Sequence, residues 1–212
     1  MKKTVSFSLY GGNERVYSYV DAGKKCVIHG REKYPDWEWR IYVGKSIYNK
    51  DRIWFQSHGC SIVNMTGGED IYPARFWRFL AAEDSDVAIF RDLDGPLLWR
   101  EKFAVDEWLA SDKKLHIMRD NHAGHTYWPV LAGMWGIKGG LKEIKSMIDN
   151  YYPTTDYAED QIFLSECLLP IFDESDIFVH DSSNPETPFP TERIKTEHVG
   201  MAFPAQYWGG DY

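Results

Sequence analysis

Asp86-Val87-Ala88-Ile89-Phe90 is a short run with four consecutive apolar residues, and Arg91-Asp92-Leu93-Asp94-Gly95 follows without a break. A run that is apolar at successive positions lacks the alternation of a half-solvated strand. It reads as a strand buried on both faces, the pattern of a parallel sheet covered by helices. In such sheets ligands bind outside the carboxyl ends of the strands. The turn at Asp92 and Asp94 therefore stands where a ligand is expected. A second Asp-x-Asp, at Asp84 and Asp86, precedes the strand and reads as a solvated turn.

Outward from this strand, apolar–polar alternation over 4–10 predicts another, ended at Gly11-Gly12-Asn13. Further strands are expected over 37–43, stopped by Gly44, over 60–65 before Gly67-Gly68, and over 115–118 and 176–180. Apolar residues at helical spacing predict helices over 73–83, 100–110, 141–151 and 159–168, the last halted by Pro170. Weak helical spacing over 18–34 leaves that stretch ambiguous. The stretch 128–140 is rich in glycine around the apolar Met134-Trp135-Gly136-Ile137. The proline-rich end, about 182–212, is expected to wrap the surface. No repeat or linker divides the chain, so the expectation is one α/β domain over 1–212, with a mixed, mostly parallel, Rossmann-like central sheet flanked by helices.

Composition narrows the function. The 212 residues are 43% hydrophobic and 26% charged, an ordinary globular mix, and 24 basic against 32 acidic residues give a net charge of −8. That balance argues against a nucleic-acid protein, which needs a basic surface to meet phosphates. The three cysteines (Cys26, Cys60 and Cys167) form no Cys-x-x-Cys pair, so reduced thiols and a cytoplasmic setting are expected. Neither a signal peptide nor a membrane span is predicted.

Two carboxylates one residue apart can face one divalent cation, and oxygen ligands with open positions suit Mg²⁺ or Mn²⁺ carrying a substrate phosphate. A plain capping turn before the next helix is the alternative. Phe90-Arg91-Asp92-Leu93-Asp94-Gly95-Pro96-Leu97 resembles the opening motif of haloacid-dehalogenase phosphohydrolases, which would make Asp92 the nucleophile and Asp94 the general acid. Pro96 and Arg91 depart from that motif, and no downstream acidic pair completes it.

The order of segments more closely resembles the GT-A glycosyltransferases with retaining chemistry. Arg75-Phe76-Trp77-Arg78-Phe79-Leu80 is similar to their donor-binding helix, and Leu131-Ala132-Gly133-Met134-Trp135-Gly136 to their small-residue segment. Asp160-Gln161-Ile162-Phe163-Leu164 resembles their acidic-Gln helix start, and Phe178-Val179-His180 the late strand whose histidine completes the metal site. Ser6-Phe7-Ser8-Leu9-Tyr10-Gly11-Gly12 and Phe189-Pro190-Thr191-Glu192-Arg193 are similar to a compact glycosyltransferase domain of large chlorella viruses and to related small bacterial proteins.

The resemblance implies a metal site of Asp92, Asp94 and His180, loaded with Mn²⁺ or alternatively Mg²⁺. It implies Asp160 as the catalytic carboxylate beneath the sugar. It also implies a UDP-sugar site built from Leu9, Tyr10, Gly11, Arg75, Asp92, Leu93, Gly133, Trp135, Gln161 and Arg193. Glucose or rhamnose would be the transferred sugar and a glycan or glycoprotein the acceptor, in host cytoplasm if the protein is viral. The chain could then be one part of a longer protein. The physical logic is that a diphosphate meets repulsion at bare Asp92 and Asp94, about 4 kcal/mol for two unit charges ~4 Å apart at an effective dielectric of ~20. A bridging cation reverses that sign. Plain alternatives remain for several residues: a backbone-bonded strand-end histidine for His180, a surface ion pair for Arg75 and a helix-start carboxylate for Asp160. The His122/His125 pair reads as loop or acceptor-side surface. A catalytically idle sugar-binding module using some of the 9 tryptophans is a further alternative.

Overall fold

The buried strand around which the sequence was read, β4 (Val87–Phe90), lies at the centre of a seven-stranded sheet. The computed structural model describes residues 1–11, 16–66, 71–121, 124–152 and 158–203. The other strands are β1 (Lys3–Leu9), β2 (Glu38–Val43), β3 (Cys60–Asn64), β5 (Leu115–Arg119), β6 (Trp135–Lys138) and β7 (Ile177–Asp181). Their order across the sheet is β3-β2-β1-β4-β6-β5-β7. The first four pair in parallel; β6 runs antiparallel to both neighbours, β4 and β5, and β7 is parallel to β5. This is the mixed, mostly parallel α/β sheet expected, and β1, β4, β5 and β7 all open toward the same edge.

Helices cover both faces: α1 (Val16–Gly30), α2 (Asn49–Ser57), α3 (Ile71–Phe76), α4 (Trp99–Ala110), α5 (Ile144–Asn150) and α6 (Glu159–Phe163). The strand period of two sorts side chains between two cores. Val5, Phe7, Ile41 and Ile89 pack with Trp108 of α4, while Phe90 and Trp135 pack with Phe76, Phe79 and Phe163. In the second core the Phe90 and Trp135 rings stack 4.0 Å apart. Each such ring contributes about 1.5–3 kcal/mol by leaving water.

Three expectations are corrected. The glycine-rich stretch contains β6, inserted antiparallel between β4 and β5. The helix expected over 73–83 is α3 followed by a 3-10 stretch, Trp77–Glu83. There β1 grips the backbone: Ser6 Oγ donates to the Arg78 carbonyl (2.6 Å), and the Arg78 N–H donates to Ser8 Oγ (3.0 Å). The polar positions of the β1 alternation thus hold Arg78 in place. The helix expected over 159–168 is α6 continued by a π turn, Leu164–Leu168. Residues 182–203 contain neither helix nor strand and run along the open edge of the sheet. All three cysteines are free thiols. Among the described residues no helix is long and apolar enough to cross a membrane.

Candidate functional site

β4 delivers Asp92 and Asp94 to the open edge, as a strand-end turn should. The Asp92 side chain is exposed; Asp94 is half-buried, and burial together with the neighbouring Asp92 charge pushes its carboxyl up to about 6. A carboxylate destabilised in this way gains from any cation that reaches it. Against Asp92 lies Gly133, from the loop before β6. A Cβ at position 133 would overlap Asp92 Oδ2, so any residue larger than glycine would push that carboxylate out of its present position.

Arg78 joins the turn to the helix start at Asp160. Its guanidinium pairs with Asp92 Oδ1 through Nη1 and with Asp160 Oδ2 through Nη2 at 3.0 Å, and it is 6% exposed. Burial opposes the guanidinium charge, but the two carboxylates more than offset it and Arg78 stays firmly protonated. Burial also holds the Asp160 carboxyl above the usual carboxylate range, with Arg78 pulling the other way. Tyr10, at the end of β1, stands beside Arg78, Arg75 and Asp160, and Arg75 hydrogen-bonds its side chain. Three carboxylates (Asp92, Asp94 and Asp160) thus face two guanidinium groups, which leaves one negative charge in excess. Gln161 is half-buried next to Asp160, and Gly11 ends the described part of the β1 turn; Gly12 and Asn13 lie outside the described residues.

Arg78 is the residue sequence reasoning missed. Its signal was present as the second arginine of the Arg75–Arg78 pair, three residues apart, opposite the Ser6/Ser8 alternation.

Other expected site residues turn their side chains into the core or are engaged by other groups. Trp135 is fully buried and stacked on Phe90, while Leu9 and Leu93 are core residues, so none of these side chains can touch a ligand without repacking. Arg193 is committed to Asp120, through its carboxylate (3.1 Å) and main-chain carbonyl, and to Ser182. His122 lies outside the described residues; His125 Nδ1 accepts the Asp120 and Asn121 N–H groups.

His180 is 1% exposed and engaged at both ring nitrogens, with His116 Nε2 at 2.8 Å and Glu107 Oε2 at 3.1 Å. Both bonds have a donor when each imidazole is neutral, His180 giving Nε2–H to Glu107 and His116 giving Nε2–H to His180. That leaves His116 Nδ1 buried and unpartnered. Among the described residues no three of His, Cys, Asp and Glu gather closely enough to hold one metal ion. The aspartate turn accordingly offers a cation two carboxylates and no imidazole. This donor set fits a hard cation that keeps other positions for substrate oxygens.

The histidine pair carries a pH dependence. Burial lowers the His116 pKa well below its ordinary 6.5, with His180 adding to the effect, and burial lowers that of His180 against the pull of Glu107. Unfolded histidines bind protons near pH 6.5 and these native ones only at lower pH. Their neutral burial therefore supports the fold fully above pH 6.5 and progressively less as pH falls. Stability should drop by up to about 1.4 kcal/mol per pH unit for each histidine that stays neutral. Urea midpoints measured from about pH 7.5 down to about 5.5 should show this slope. A His116→Phe variant should flatten it, and an undiminished slope there would reject the assignment.

No protein-family model and no curated protein matches the chain. Solved structures do. One is a 4-diphosphocytidyl-2C-methyl-D-erythritol synthase from Anaerococcus prevotii, 14% identical, with a TM-score of 0.51 over 85% of this chain and 88% of that one. Another is a cytidylyltransferase from Leptospira borgpetersenii, 12% identical, with a TM-score of 0.53 over 85% of this chain and 75% of that one. The chain shares their fold. At such identity the likeness concerns the arrangement of strands and helices, an α/β Rossmann-like sheet whose open edge is where the turns gather.

Proposed function

We propose that the chain, acting as one domain, is a metal-dependent glycosyltransferase that moves a hexose or deoxyhexose, glucose or rhamnose, from a UDP-sugar to a glycan or glycoprotein acceptor. The observation that supports this reading is the linked set Asp92–Arg78–Asp160 at the end of the central strand, with Gly133 pressed against Asp92. It combines a cation-seeking carboxylate pair, a fixed positive group and a third carboxylate beside a glycine whose bare backbone a sugar could approach.

Asp92 and Asp94 would hold Mn²⁺ or Mg²⁺, and a divalent ion there supplies charge neutralisation for a departing diphosphate. With the imidazole of His180 committed elsewhere the donor set is all oxygen, which accepts Mg²⁺ as readily as Mn²⁺. Arg78 keeps Asp92 and Asp160 at a set separation before substrate arrives, so little reorganisation is needed at reaction. Tyr10 and Arg75 stand beside Asp160 and Arg78 and suit the donor's base and phosphates. Asp160, partly shielded from water, is placed to stabilise positive charge developing on the sugar ring.

A second reading, cytidylyl transfer from CTP, draws on the two structures that share the fold, a diphosphocytidyl-methylerythritol synthase and a cytidylyltransferase. Calorimetry with UDP and with CTP, each with and without Mn²⁺, separates the two. UDP binding that needs the metal, followed by UDP release from a UDP-sugar, supports glycosyl transfer. Pyrophosphate released from CTP with no turnover of UDP-sugars would replace it, and phosphate released from simple phosphoesters with no nucleotide affinity would restore the phosphohydrolase reading. In Asp94→Ala the metal-assisted part of UDP affinity should fall at least ~100-fold, about 2.7 kcal/mol. The fold should survive, because the substitution removes a carboxylate that burial already disfavours. Undiminished Mn²⁺-dependent affinity would reject the metal assignment.

A further inference from the structure

Asp120 follows β5 at the same open edge and is 0% exposed. A buried carboxylate must be fully bonded to persist, and its partners come from three parts of the chain. Arg100 of α4 binds it with two parallel bonds, Nε to Oδ2 and Nη2 to Oδ1, each 2.9 Å. Arg193 reaches Oδ1 at 3.1 Å, and the Val199 N–H donates to Oδ2 at 3.0 Å. The last two belong to the segment 182–203, whose described residues form neither helix nor strand.

Four residues beyond Val199 the same segment reaches the aspartate turn. The Phe203 N–H donates to the Asp94 carbonyl at 2.8 Å, and a Cβ at Gly95 would overlap the Met201 carbonyl oxygen. Between these points Val199 is fully buried in a cluster with Met118, Met134 and Phe189. Met134 adjoins Gly133, which touches Asp92. The segment is therefore held at Asp120 and pressed on the turn that carries Asp94, with an apolar stretch between.

We propose that Asp120 is a positioning residue: it clasps the segment 189–203 so that this strap walls the Asp92–Asp94 turn and fixes the Asp94 backbone for donor binding. The donor-binding clause rests on the function proposed above; the clasp itself does not. Irregular chain with no ladder of its own opens locally at small free-energy cost unless side chains tie it down. Asp120 provides that tie. Its charge is kept by Arg100 and Arg193, which hold the carboxyl below the usual range against the effect of burial.

The test uses the full chain and two substitutions that act on opposite ends of the strap. Asp120→Asn keeps the shape but loses the charge that Arg100 and Arg193 bind. Gly95→Ala leaves Asp120 intact and forces the strap off the turn; Gly95 has no positive φ, so the added methyl strains nothing else. In both, hydrogen exchange should rise about tenfold or more in peptides covering 90–97 and 195–203, while β1 and β2 stay protected. A merely structural loss would loosen β1 and β2 as well. Affinity for UDP with Mn²⁺ should fall about tenfold in each variant, roughly 1.4 kcal/mol. Unchanged exchange at 90–97 in both variants would overturn the clasp, whether or not UDP binds. Raised exchange with full UDP affinity would overturn the strap's part in donor binding. Absence of UDP binding by the unmodified protein would sink the donor reading alone, with the exchange results still deciding the clasp.

Discussion

Glu101→Ala should destabilise the protein by about 3–5 kcal/mol, the effect of stranding one member of a buried ion pair. Arg91 and Glu101 are 3% and 1% exposed at their side chains and meet at 2.7 Å, Nε to Oε1. Tyr34 donates its hydroxyl to the same oxygen at 3.1 Å. Arg91 Nη1 donates to the carbonyls of Phe90 (2.7 Å) and Trp135 (2.9 Å), tying the end of β4 to β6. Alanine at 101 would leave the guanidinium charged, dry and half-satisfied, with its Nη2 already unpartnered. A domain whose whole stability is about 5–15 kcal/mol would feel this strongly. The measurement is the urea midpoint at constant m-value. A double replacement, Arg91→Leu with Glu101→Leu, removes both charges and should recover much of the loss, since apolar side chains of similar volume often replace a buried pair without harm. A Glu101→Ala midpoint close to that of the unmodified protein would show that water reaches Arg91.

The same pair shows why an arginine immediately precedes Asp92. In sequence, Arg91 looked like a departure from an apolar motif position; in the fold it is a brace beneath the aspartate turn. Sequence conveyed the turn itself well, because four consecutive apolar residues can only be a buried element and the acidic pair leaves its end. β6 was hidden, since Trp135-Gly136-Ile137-Lys138 has little strand pattern amid glycines and takes its form from pairing with β4 and β5. α2 was hidden for a different reason: Asn49–Ser57 is mostly polar and buries only Asp51 and Phe55. His180 illustrates the limit of reading site residues from strand ends. It shares the parity of Phe178, which packs toward the α4 core, whereas Ile177 and Val179 face the core that contains Phe76 and Phe163. A strand period of two thus turns its ring toward Glu107 of α4. Arg78 escaped for a related reason, because its role depends on β1 serines distant in sequence.

Asp160→Asn carries the largest expected effect on turnover. The carboxylate sits at the start of α6, 9% exposed, bound by Arg78 and accepting the Gln161 N–H at 3.1 Å. Asparagine preserves the shape and can still accept one of the two bonds through its amide oxygen, which suits Arg78, while the Gln161 N–H loses its carboxylate acceptor; donor affinity should therefore change by no more than a few-fold. What disappears is the negative charge of a mostly buried carboxylate, which positive charge on the sugar would feel most strongly in the transition state. Losing such a preorganised group lowers kcat by about 10²–10³, which is roughly 2.7–4 kcal/mol. Arg78 would then be balanced by Asp92 alone, and the urea midpoint reports whether that imbalance, and not chemistry, accounts for the change. The resemblance to retaining glycosyltransferases implies that the acceptor proton passes to the departing phosphate, so that Asp160 would have no proton to accept. The anomeric coupling in the proton NMR spectrum of the product decides this. Retention, with kcat depressed at nearly constant Kd, is the expected result. An inverted product would instead make Asp160 the general base that deprotonates the acceptor hydroxyl. Equal losses in kcat and Kd-scaled affinity would reduce it to a binding group held by Arg78.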